Sequence, residues 1–185
     1  MKRLVVFLLL LLPLAALAKP PTLYDRVEAR LKHDQALAKA LGHAGPEMKS
    51  VAWMAGDWDI AAAVAGGAAE KGKSHVVPVL GGVWLEIRDT YPQGNQDISY
   101  LSFNPATKRW VSMTVDAVGN AVTNTAERWQ NGTLVFVGGV TVIGEKATLR
   151  QTVIKRSERA YAVTNEERMP DGSWVLLDSY KYTKR

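Results

Sequence analysis

Downstream of residue 80 the chain carries the side chains best suited to holding a small molecule: Trp84, Tyr100, Trp110 and Tyr180 as aromatic walls, with Arg88, Asp116 and Asn124 as polar handles. A Trp or Tyr ring offers a large apolar face and one polar atom. Small-molecule sites pair such walls with a few convergent polar groups. The same rings are equally compatible with a plain apolar core. Asp116, Glu127, Glu166, Glu167 and Asp178 are spread over the same stretch, and a buried pair of them could work as acid and base beside a tyrosine. Arg88, Arg128, Arg150 and Arg168 are present to neutralise them instead. No Gly-x-Ser-x-Gly elbow exposes a serine nucleophile, so no residue is assigned a catalytic role.

Gly67, then four residues, then Gly72, Lys73 and Ser74 match the spacing of a phosphate-binding loop, with Val175 to Asp178 as a possible partner strand. Such a loop works because a helix begins at the Lys and Ser and points its free N–H groups at the phosphate. The following His75 to Leu80 is β-branched, contains Pro78 and ends at Gly81, which is strand chemistry. A hairpin loop is expected there, and no nucleotide. The three histidines, His33, His43 and His75, have no metal-site spacing, and with no cysteine there are neither disulfides nor thiolate ligands. Neither metal nor cofactor is expected. A net charge of +5, part of it from Lys2 and Arg3, is too mild to suggest nucleic acid.

Lys2 and Arg3, the apolar run Leu4–Leu12, Pro13 and the small residues up to Ala18 have the charged, apolar, small order of a secretory signal. The apolar run is short of the roughly 20 residues that a membrane span needs. Residues 1–18 are therefore expected to be a cleaved signal peptide and the protein to be periplasmic or secreted, without membrane insertion afterwards. Residues 19–46 read as a helix and linker: Thr22 and Asp25 suggest a capping box, Leu23, Val27, Leu31, Ala38 and Leu41 share one face, and Gly42 offers a stop. The helix is expected to pack on the domain, with a lid or partner-binding arm as the other reading.

Residues 47–185 form the remaining domain. From Val51 on, ten short runs of β-type periodicity alternate with turn residues: 51–64, 73–80, 83–91, 97–104, 108–116, 120–129, 133–141, 146–156, 159–168 and 173–183. Asn131 and Gly132 are the strongest hairpin signal, since a type I′ turn needs two residues at positive φ. Breaks this short suit antiparallel hairpins, and a meander of this many strands removes its exposed edges by closing. The expected fold is an all-β, up-and-down antiparallel barrel of about ten strands preceded by one helix. Trp84, Glu86 and Arg88 alternate with Val83, Leu85 and Ile87, and Trp110, Ser112, Thr114 and Asp116 with Val111, Met113 and Val115. Alternation alone leaves open which face is lumenal.

Gly56, Asp57 and Trp58 opening the first strand resemble the Gly-x-Trp signature of calycin-type barrels, which include lipocalins, fatty-acid-binding proteins and nitrobindins. Gly81 to Leu85, Tyr100 to Pro105 and Lys108 to Asp116 are similar to a bacterial family of lipocalin-like domains of unassigned activity, over about residues 47–183. The resemblance implies a barrel with Gly56 and Trp58 as structural signature, Trp58 plugging the base. Haem ligation through a late histidine, as in nitrobindins, does not carry over, because no histidine follows His75. The sequence thus supports an exported, non-enzymatic barrel holding a small apolar or amphipathic ligand as its leading reading. A lumenal enzyme using carboxylates and Tyr, or an interaction module of the cell envelope, are the alternatives. Ligand identity and oligomeric state are not specified.

Overall fold

A computed structural model describes residues 19–65, 67–92 and 94–185; the expected signal peptide lies outside them. The chain divides into two compact units, one ending at Gln35 and the other running Ala36–Arg185. In the first, helix α1 (Leu23–His33) starts at the expected capping box: Thr22 caps Asp25 N–H, and the Asp25 carboxylate accepts the Thr22 backbone N–H at 2.8 Å. None of its residues is buried. The single helix expected up to Gly42 is interrupted at Asp34, whose backbone leaves helical angles (φ −110°, ψ 81°). A short α2 (Gln35–Ala40) follows, burying Leu37. Among the described residues no helix is long and apolar enough to cross a membrane.

The second unit is a closed barrel of ten antiparallel strands: β1 (Gly56–Val64), β2 (Ala69–Val79), β3 (Trp84–Thr90), β4 (Gln96–Asn104), β5 (Arg109–Asp116), β6 (Ala121–Ala126), β7 (Thr133–Val142), β8 (Glu145–Ser157), β9 (Ala160–Arg168) and β10 (Trp174–Lys184). Each strand pairs with its sequence neighbour, and β10 closes on β1 from Trp58↔Lys184 to Val64↔Asp178. Nine of these strands lie within a few residues of the periodic runs, but the first run is shorter than expected. Residues before Gly56 form α3 (Pro46–Ser50) and a 3₁₀ turn (Ala52–Met54), with Pro46 at the first helical turn, where its missing N–H costs nothing. Asn131 and Gly132 sit at φ 51° and 72°, as the hairpin turn requires. The phosphate-loop match runs into β2, where Ser74 is buried and Lys73 exposed; no helix begins there.

The core is one cluster inside the barrel, including Trp58, Ile60, Val76, Leu85, Trp110 and Phe136. At the end where β1 begins and β10 ends, here called the base, α3 and the 3₁₀ turn lie over it with Met48, Val51 and Met54 buried. Trp58 is fully buried and its Nε1–H donates to the Met54 carbonyl at 2.8 Å. Trp53 and Tyr161 meet it edge-on, with ring centroids 6.2 and 4.9 Å away, a favoured aromatic geometry. Gly56 has φ +128°, and a Cβ there would lie 2.9 Å from Lys184 Cε, so the glycine lets Lys184 cross and reach the Trp53 carbonyl at 3.0 Å.

Register between β6 and β7 is defined by the single pair Thr125↔Val137. Gly138 lies next to this seam, and a Cβ on it would fall 1.9 Å from Asn124 Oδ1 and 3.1 Å from the Thr123 carbonyl. Gly138→Ala is therefore expected to cost about 1–3 kcal/mol by overpacking. Adding Asn124→Ala should return part of that loss, because the two substitutions share one space. Urea unfolding of the two single variants and the double variant measures this; a neutral Gly138→Ala would contradict the packing described.

Candidate functional site

Which face of each strand points inward follows from the ladders. On β3 the apolar set Leu85 and Ile87 is lumenal, and with it Asp89; Trp84, Glu86 and Arg88 face out. On β5 the parity is reversed in character: Trp110, Ser112, Thr114 and Asp116 face in, while Met113 and Val115 are 42% and 45% exposed on the outer surface. The lumen is therefore apolar over its base half and polar towards the opposite end, the mouth, which carries the turns after β1, β3, β5, β7 and β9.

Between Met54 at the base and Asp97 towards the mouth the lumen holds a chamber of about 150 Å³. Met54, Leu101, Phe136 and Val153 form its apolar side. Its polar wall includes Asp89, Asp97 and Asn165 together with Tyr91, Tyr180 and Tyr182. Tyr161, also on the wall, stacks on Tyr182 with centroids 4.1 Å apart and planes 6° from parallel. Among the described residues that line it there is no Lys, Arg or His.

The carboxylates are placed by register. Asp89 of β3 is the direct ladder partner of Asp97 of β4, and Asp97 that of Asp116 of β5. Three like-charged side chains thus stand in a row across three strands, on the inner face. Like charges directly opposite each other repel. Burial accordingly pushes the Asp97 carboxyl up to about 7, with Asp89 and Asp116 adding to the rise. Burial also raises Asp89, against the nearby Ser74 hydroxyl and Tyr182 phenol. Asp116 ends lowered: burial opposes ionisation there, but the Asn120 side chain and the turn N–H groups of Val118 and Asn120 donate to it. On β10, burial raises Asp178, although Asn165 Nδ2 donates to it at 2.7 Å. Burial, followed by the neighbouring aspartates, raises the Tyr91 and Tyr180 phenols, keeping them as neutral donors.

Asp89 is 5% exposed. Its Oδ2 accepts from Tyr182 at 2.7 Å, but its Oδ1 is buried with no hydrogen-bond partner. An unmet buried acceptor costs about 1–3 kcal/mol; the Ser74 hydroxyl, on the ladder partner of Asp89 and likewise buried without a hydrogen-bond partner, is the donor the chain itself places beside it.

Of the residues expected to form a pocket, Tyr180 lines the chamber, while Asp116, the ladder partner of Asp97, is outside the lining and holds its own turn. Trp110 and Asn124 face inward and are buried, but Trp110 packs against Phe103 near the base and Asn124 against Gly138. Trp84, Arg88 and Tyr100 are on the outside. Glu86 accepts from Arg88 at 2.6 Å and from Tyr100 at 3.0 Å, and Trp84 and Tyr100 border a shallow outer depression. Their strands turn Leu85, Ile87, Ser99 and Leu101 inward instead. Of the candidate carboxylates, Glu166 forms a two-pronged pair with Arg150 at 2.7 Å, and Asp178 accepts from Asn165, which lines the chamber. Asp89, Asp97 and Tyr91 were not singled out. Asp89 carries a signal, an aspartate in phase with Leu85 and Ile87; Asp97 carries none until its register with Asp89 is known.

No protein-family model matches the chain, and no curated protein matches it. Among solved structures it is similar to the redesigned β-barrel b11L5F_LGL, at 12% identity and a TM-score of 0.35, covering 73% of this chain and 94% of that one. It is similar to the same degree, 12% identity and TM-score 0.35, to the redesigned β-barrel mFAP1 bound to DFHBI, over 76% of this chain and all of that one.

Proposed function

We propose that the protein binds a small amphipathic molecule inside the chamber of the barrel, with the molecule's apolar part against Phe136 and Val153 and its polar part among the aspartates and tyrosines. The observation that carries this reading is a chamber of about 150 Å³ with apolar residues on one side and Asp89, Asp97, Tyr91, Tyr180 and Tyr182 on the other. An apolar cavity of that volume holds about one benzene ring, so the ligand is ring-sized, not an acyl chain or a haem. Asp89 and Asp97 beside Tyr91 and Tyr180 are also the carboxylate and Tyr set that a lumenal enzyme would use, without an Arg or Glu among the described lining residues. Kinship with calycin-type barrels is part of this proposal, supported by Gly56 and Trp58 at the start of a closed meander. So is export to the periplasm or medium, supported by the order of residue types from Lys2 to Ala18.

Calorimetric titration with benzylamine and benzyl alcohol tests the reading. At least one should bind once per chain, and Ser99→Leu, which places extra volume in the chamber wall, should weaken it tenfold or more while circular dichroism stays unchanged. Binding of neither, or binding indifferent to Ser99→Leu, contradicts a lumenal site.

A further inference from the structure

Resting on that reading, we propose that the chamber selects a small organic cation, an amine carried on an apolar ring-sized body, which inserts its N–H donors between Asp89 and Asp97. The row Asp89, Asp97 and Asp116 crosses three adjacent strands on the inner face, and Asp178 of β10 accepts from Asn165 of the chamber wall. A chain with an excess of basic residues overall thus keeps its binding cavity free of Lys, Arg and His among the described lining residues. A cleft walled by one sign of charge raises the local concentration of the opposite ion. The wall offers acceptors: Asp89 Oδ2 takes the Tyr182 phenol, its Oδ1 is buried without a hydrogen-bond partner beside the Ser74 hydroxyl, and Asp97 stands opposite it in the ladder.

A metal ion is the other cation such a row suggests. No three His, Asp or Glu side chains among the described residues are grouped closely enough to hold one. The remaining wall is aromatic and apolar, which suits an organic cation: Tyr rings attract ammonium groups through their faces, and Phe136 and Val153 suit its hydrocarbon part.

Charged-group hydrogen bonds contribute about 1.5–3 kcal/mol each, so benzylamine should bind at least about tenfold more tightly than benzyl alcohol at pH 8, and benzoate should not bind. Asp97→Asn, which removes a repulsion and so should fold, is expected to lower benzylamine affinity about tenfold and benzyl alcohol affinity by much less. Affinity for the amine should also fall as the pH is taken from 8 to 6, because Asp97 takes up a proton among Asp89, Asp116, Asp178, Tyr91, Tyr161, Tyr180 and Tyr182. Benzyl alcohol binding as tightly as benzylamine, or an amine affinity untouched by Asp97→Asn, overturns cation selection and leaves the lumenal site standing. No binding by any of the three probes overturns both.

Discussion

Replacing Trp58 by alanine is expected to cost about 3–5 kcal/mol of folding stability, the usual range for truncating a buried large aromatic residue. The side chain is completely buried, meets Trp53 and Tyr161 edge-on, lies beneath the Lys184 ammonium at 5.2 Å, and fastens the 3₁₀ turn through its bond to the Met54 carbonyl. Removing it opens a cavity at the base and frees the segment that closes the barrel there. Against a typical total of about 5–15 kcal/mol, this is a large share. Trp58→Phe should lose less, because one ring stays in place, although the N–H bond and the volume of the second ring are given up. Urea unfolding monitored by far-ultraviolet circular dichroism measures both; a loss below about 1 kcal/mol for the alanine variant would show that the base does not depend on this ring.

That base was legible beforehand, because its determinants are local. Gly56 and Trp58 are two residues apart, and the Asn131–Gly132 turn is specified by the angles its own residues tolerate. The strands were legible for the same reason, since alternation is a property of neighbours along the chain. What alternation could not reveal was the direction of each face. Val111, Met113 and Val115 look like a core stripe, yet Ser112 and Thr114 point inward, because β5 is held by Leu101↔Ser112 and Ser99↔Thr114. The choice is made by pairing with β4. The aspartate row is a product of that same pairing: residues 89, 97 and 116 become neighbours only when two hairpins set their registers. The mistaken expectation for Trp84, Arg88 and Tyr100 has this origin too, aromatic and charged residues being assigned to a pocket by type while their strands turn the intervening residues inward.

The second large effect is a stability that declines as pH rises. Asp97 is pushed up to about 7 in the folded barrel from an ordinary value near 3.8, and Asp89 and Asp178 are also raised. Below about pH 4 these groups are protonated whether the chain is folded or not. Between about pH 4 and 7 the unfolded chain releases the Asp97 proton while the folded chain retains it, so folding becomes less favourable as pH increases. Above about 7 the loss is complete. Partial exposure at the mouth reduces the magnitude, which should be roughly 1–3 kcal/mol. Asp97→Asn removes the titration, so its stability relative to the unsubstituted protein should grow through that window and level off above it. A difference between the two proteins that is flat from pH 4 to 8 would mean that Asp97 is well solvated.

The same linkage gives a cationic occupant its driving force: a charge placed beside Asp97 relieves the strain that ionisation brings to the empty chamber. The ligand and the proton then compete for one carboxylate.

The most direct test of this chamber is a carbon-detected nuclear magnetic resonance titration of the Asp97 carboxyl, in the free protein and with saturating benzylamine. A midpoint near 7 in the free protein that moves down by a unit or more with the amine is the predicted result. A midpoint near 4 that the amine does not move would show a hydrated side chain with no site around it.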